Sequence, residues 1–221
     1  MGRTPSSRRP PGPLEPRWPA SLAVVAGLIV YFQLPESVSL GPRWLIPALE
    51  AVLVIPLTIA APFRHRAEDR VARMVSLVLL GVVNGAVLVS LGLLVHEVLT
   101  GGNLTGESLV GAGVAIWIAM VIGFGLTYWE MDRGGPAIRG REDEGSPDFM
   151  FPQMSTHELG QQDWQPRFLD YAYLSFTNST AFSPTDTLPL TQRAKALMMI
   201  EAGGAITIAL MVVGRAVNVL G

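Results

Sequence analysis

Nine of the thirteen residues from Ser175 to Thr187 carry a hydroxyl, amide or carboxylate group, and none is positively charged. Oxygen-bearing side chains at this density, immediately before the apolar stretch Gln192–Leu220, are the material of a site that ligates or passes a cation. Thr177, Ser179, Thr180, Ser183, Thr185 and Asp186 are the candidate oxygen ligands or pore-lining residues, with Glu201 in support. Glu201 lies about two turns into that last apolar stretch. A carboxylate in hydrocarbon is expensive and normally faces a bundle interior or water. Glu201 and Glu50 are the two acids so placed, each with an internal ion pair or hydrogen bond as the plainer reading, and for Glu50 an interfacial position.

Other chemistry is scarce. His65, His96 and His157 sit in separate segments without metal-ligand spacing, and the chain has no cysteine, so no thiolate site and no metal site is expected. There is no nucleophile elbow, phosphate loop or dinucleotide fingerprint, so neither an enzyme nor a cofactor is expected. His96-Glu97 reads as an interfacial polar pair, with a proton relay as the sharper alternative. Gly81-x-x-x-Gly85 lets two backbones approach closely, within the chain or between chains. Asn84 between those glycines is expected to bond a neighbouring helix, and Gly111, Gly113, Gly123 and Gly125 read as further close approaches.

The elements that must position these residues are set by composition. Of 221 residues 49% are hydrophobic and only 15% charged, with mean hydropathy +0.38. A soluble domain carries roughly a quarter charged residues, so this chain is built for an apolar solvent. The net charge of −2 and the scattered basic residues leave no footprint for nucleic acid. The expected fold class is all-α: a polytopic membrane protein with five transmembrane helices plus a re-entrant or interfacial short helix and loop before the last. Residues 1–17 form a Pro/Arg-rich tail expected to be disordered; Pro10-Pro11 argues against reading Arg8-Arg9 as an export signal. Residues 18–129 hold four spans, Trp18–Leu34, Trp44–Ala61, Val71–Leu99 and Ser108–Trp129. Residues 130–166 read as a polar, solvated cytoplasmic linker, and 167–221 as a pore-loop-like segment with the final span, for which Thr191 is the expected N-cap.

The basic residues set the orientation. With the N-terminus inside, 14 of the 16 Lys and Arg residues are cytoplasmic and only Arg43 and Arg215 lie outside. The expectation is a multi-pass inner-membrane protein with a cytoplasmic N-terminus and an external C-terminus.

Residues 168–215 resemble the pore-loop and inner-helix module of bacterial potassium channels. The residues that carry the likeness are Ser175-Phe176-Thr177, Thr180, Asp186, Pro189, Thr191, and Lys195 six before Glu201, with Gly203-Gly204 near the family's hinge glycine. The filter departs from the family. Aligned on Asp186, its glycine-rich run meets Ala181, Phe182, Ser183, Pro184 and Thr185. Ser and β-branched Thr resist the positive φ that aims carbonyls at an ion, and Pro184 pushes Ser183 towards extended backbone. A standard potassium filter is not expected. The orientation departs too: the loop falls on the cytoplasmic side, so the module is inverted or the pattern reflects helix–turn–helix packing alone. The whole chain also resembles an uncharacterised bacterial family of predicted integral membrane proteins, through Asp170-Tyr-Ala-Tyr173, Phe176, Asp186 and Ala216-Val217-Asn218.

The resemblance implies an ion channel or ion-binding transport protein of non-standard selectivity. Its expected partners are the lipid bilayer, monovalent ions and further copies of itself in a homo-oligomer. The alternative is a non-conducting structural or assembly protein whose loop only packs at the interface.

Overall fold

A computed structural model describes residues 18–32, 38, 66–101, 105–139, 145–155, 164–180 and 186–220. The elements in chain order are α1 (Trp18–Tyr31), α2 (Arg66–Leu99), α3 (Gly106–Met131), a 3₁₀ turn over Asp132–Gly134 and β1 (Phe149–Met150). They are followed by α4 (Pro152–Ser155), α5 (Phe168–Ser179), β2 (Leu188–Pro189) and α6 (Gln192–Leu220). The expected second span Trp44–Ala61, with Glu50, lies outside the described residues, as do His65, His157, Ser183 and Thr185.

Three helices are long and apolar enough to cross a membrane: Arg73–Leu99, Gly106–Gly134 and Gln192–Arg215. The fold is mostly helical as expected and compatible with a membrane protein, and three of the five expected spans reach that length among the described residues. α1 has 14 residues, about 21 Å at 1.5 Å per residue, short of a ~30 Å hydrocarbon core. It stops three residues before the expected end at Leu34, the residue whose backbone Pro35 restricts.

Local chemistry sets the helix ends. The Thr105 side chain caps α3 by accepting the Ser108 N–H at 3.2 Å, and Glu107 favours the first turn by its charge. At its far end the chain reverses through Arg133, Gly134 and Gly135, all at positive φ (55°, 92° and 90°). Only glycine adopts such backbone cheaply, so the two glycines make this reversal. Thr191 caps α6 as expected, accepting the Ala194 N–H at 3.3 Å.

α3 is the hub. α1, α2, α5 and α6 all pack on it, and 56% of its apolar span is buried against 22% for α6, which keeps most of its surface bare. Asn84 on α2 bonds a neighbouring helix as expected, its amide donating to the Gly123 carbonyl at 3.2 Å and to Thr127 Oγ1 at 2.9 Å on α3. A Cβ on Gly123 would come within 2.2 Å of Asn84 Oδ1, so glycine is what admits the amide.

The linker is less solvated than its composition suggests. Gly145 and Ser146 are exposed, but Asp132, Arg139, Asp148, Phe149 and Phe151 are buried. β1 pairs antiparallel with β2, Phe149 opposite Pro189 and Met150 opposite Leu188, which draws the linker across the end of α3. Tyr171 then stacks edge-on against Phe149 and Phe151, at centroid distances of 6.4 and 5.3 Å.

Charge segregates along the bundle. Arg73 donates to the carbonyls of Glu130 and Met131, Arg139 to that of Trp129, and Arg193 to Asp148, all at the C-terminal end of α3. Arg215 sits at the other end, against Gly106.

Candidate functional site

α5 lies antiparallel along α3 through four successive contacts. Trp129 meets Phe168 edge-on at 5.9 Å, and Gly125 faces the backbone of Ala172. Ser175 Oγ lies 2.9 Å from the Val121 carbonyl, and Trp117 Nε1 donates to the Ser179 carbonyl at 3.4 Å. Each step of three or four residues forward on α5 is four back on α3, so the two helices keep register. Gly125 makes the close approach possible, since a Cβ there would sit 3.2 Å from Ala172 Cα. α5 begins with Asp170 Oδ2 accepting the Arg167 N–H at 2.7 Å, half of a capping box. It ends at Ser179, about 17 Å further along and level with the middle of α3.

Glu201 is the centre of what this packing creates. The residue is fully buried, and four side chains from two other helices point donors at its carboxyl. Tyr128 of α3 donates to Oε2 at 2.6 Å, and the Asn178 amide donates to the same oxygen at 2.7 Å. On Oε1 it meets the hydroxyls of Ser179, at 2.9 Å, and of Ser175. Among the described residues no basic side chain is paired with it. Such a carboxyl is compensated by dipoles alone, which spares it the several kcal/mol of an unsatisfied group in an apolar site.

A second polar centre closes the end of the bundle. The buried Asp132 accepts the Tyr171 hydroxyl at 2.5 Å and the backbone N–H of Asp148 at 2.6 Å. Asp148 in turn accepts the Thr191 hydroxyl at 2.6 Å and both arms of Arg193. The Arg139 guanidinium lies 4.8 Å above the Tyr171 ring and reaches the Pro166 carbonyl at 3.2 Å. Burial pushes the Tyr171 hydroxyl well above the ordinary phenol range; Arg139 opposes this, and Asp132 adds to it by charge and by hydrogen bond. Three acids and bases of the linker thus tie α3, α5 and α6 together at one end.

The expected site residues divide among four fates. Ser179 and Glu201 meet directly. Thr177 and Thr180 are turned into their own helix, Thr177 Oγ1 donating to the Tyr173 carbonyl at 2.9 Å and Thr180 Oγ1 to the Thr177 carbonyl at 2.9 Å. Asp186 is exposed, and Ser183 and Thr185 fall outside the described residues. Gly203-Gly204 does not interrupt α6, which runs unbroken from Gln192 to Leu220; Gly204 packs on Met120, whose Cε would lie 2.5 Å from a Cβ. The candidate list chosen by residue type missed Tyr128, Ser175, Asn178, Asp132 and Asp148. Ser175, Asn178 and Ser179, spaced i, i+3 and i+4, do form one polar helix face, and that signal was available. Comparison with protein-family models, curated proteins and solved structures finds no match.

Proposed function

We propose that this is an integral membrane protein in which α5 re-enters the bilayer from the cytoplasmic side, and that it binds or conducts monovalent ions as a homo-oligomer. The observation that carries this reading is the register of α5 on α3, which stops at Trp117, half-way along a helix of spanning length. A twelve-residue helix that ends there needs its chain to return to β2. In sequence, Ser183 and Thr185 lie between these two elements, ahead of Asp186. The clustering of Arg73, Arg139 and Arg193 at one end and Arg215 at the other supports the orientation. The exposed stripe Leu169, Tyr173 and Phe176 on α5 suits lipid or a second copy.

A second reading, a non-conducting structural or assembly protein, is favoured by one observation. Thr177 and Thr180 spend their hydroxyl protons on carbonyls of their own helix. Flux of sodium and potassium into liposomes carrying the purified protein separates the two. Under the transport reading Asp186→Asn and Thr185→Val assemble normally and change flux, without steep potassium-over-sodium selectivity. If both match the parent in flux while Asp186→Asn alone lowers thermal stability, the loop is structural.

A further inference from the structure

Each serine hydroxyl has one proton to give, and both serines at Glu201 have two places to send it. Ser175 Oγ lies within reach of Glu201 Oε1 and 2.9 Å from the Val121 carbonyl. Ser179 Oγ lies 2.9 Å from Glu201 Oε1 and 2.8 Å from the Ser175 carbonyl. The network therefore has two complete settings. In the first, both hydroxyls donate to Oε1, Tyr128 and Asn178 donate to Oε2, and Glu201 is a carboxylate with four donors. In the second, a proton sits on Oε1 and is donated to Ser175 Oγ. The two serine hydroxyls then rotate to their carbonyls, while Tyr128 and Asn178 keep Oε2. No buried polar group loses its last partner in either setting, so exchanging them avoids the cost of an unmade hydrogen bond.

We infer that Glu201 is a proton-binding site inside the bundle, loaded from and released to water, with Ser175 and Ser179 as the rotors that re-pair on each change. One proton is taken up by the carboxylate and the same proton is released; no other bond is made or broken. The groups facing Glu201 are few. α3 supplies Tyr128, and α5 supplies Ser175, Asn178 and Ser179. α2, which reaches α6 through Leu91 at Gly204, and β2 bring no titratable or charged side chain to it among the described residues. With no cation held beside it to fix the charge, the carboxyl can change state on its own. This deepens the transport reading by naming the proton as the ion handled here, though its test does not need a flux.

The test is infrared difference spectroscopy of the full chain in nanodiscs as pH is varied. The expected result is a protonated-carboxyl band that titrates in the parent and is lost in Glu201→Gln, an isostere of the neutral acid that retains the fold. In Ser175→Ala the band should persist but shift in frequency, because its acceptor is gone. A parent band that never titrates, a band that survives in Glu201→Gln, or no band at any pH where the protein is folded overturns the inference. A titrating band without liposome flux rejects the transport reading alone; flux without the band rejects only the proton site.

Discussion

Asp148 holds both arms of the Arg193 guanidinium, Oδ1 to Nε at 2.7 Å and Oδ2 to Nη2 at 2.6 Å, with the carboxylate fully buried and the arginine 57% exposed. This joins the linker to the first turn of α6. Because the arginine is partly wet, the pair is worth less than a buried one. Asp148→Ala also strands the Thr191 hydroxyl and should cost about 2 kcal/mol. The expected drop in apparent melting temperature is roughly 4–8 °C. Arg193→Lys, which keeps the charge but not the fork, should fall between. Melting temperatures unchanged in both variants would show that the linker is held by β1–β2 pairing alone.

Gly123 and Asn84 should behave as a coupled pair. Gly123→Ala drives a methyl to within 2.2 Å of Asn84 Oδ1 and should destabilise by about 1–3 kcal/mol. Asn84→Ala alone should cost only about 0.6 kcal/mol, the usual worth of such a bond between membrane helices. Combining the two should be milder than Gly123→Ala by itself, because the amide that clashes is removed. Strict additivity in a thermal-unfolding cycle would contradict the contact.

Seating of α5 depends on Gly125. A leucine there collides with the backbone around Ala172, which cannot move aside as a side chain would. A cysteine placed at Leu174, 1% exposed, should be shielded from thiol reagents in the parent and become reactive when Gly125→Leu is added. Continued shielding in the double variant would mean that α5 is held by something other than its fit to α3.

Sidedness is open to direct chemistry, since the chain has no cysteine of its own. Ser146 is exposed, so Ser146→Cys should resist an impermeant thiol reagent in intact cells and label after lysis. Labelling from outside would reverse the orientation and restore the usual channel topology.

How far the fold could be read from the chain follows from what each part depends on. Long apolar runs without proline, such as Val71–Leu99, give helices whatever their neighbours do, and those readings held. For Trp18–Leu34 the described helix covers Trp18–Tyr31, shorter than a span. Glu201 stood out as an acid in an apolar run, but its partners did not, because they are chosen by the α3–α5 approach at Gly125. A glycine in a membrane helix says that something comes close, not what. The buried linker was hidden for another reason. Asp132 and Asp148 look like surface charges, and only the backbone fold of β1 and β2 supplies the donors that allow them inside.

The donor cage around Glu201 also bears on how the protein is made. Tyr128, Ser175, Asn178 and Ser179 all precede Glu201 in the chain, so they leave the ribosome first. A lone acid near the centre of an inserting helix costs about 2.5–3.5 kcal/mol at the translocon. α6 is by itself long and apolar enough to cross a membrane. It then arrives beside helices that already carry every partner its acid needs. Were α6 synthesised ahead of α5, three of the four donors would be missing when the carboxyl met lipid. Chain order is thus part of how this acid is tolerated.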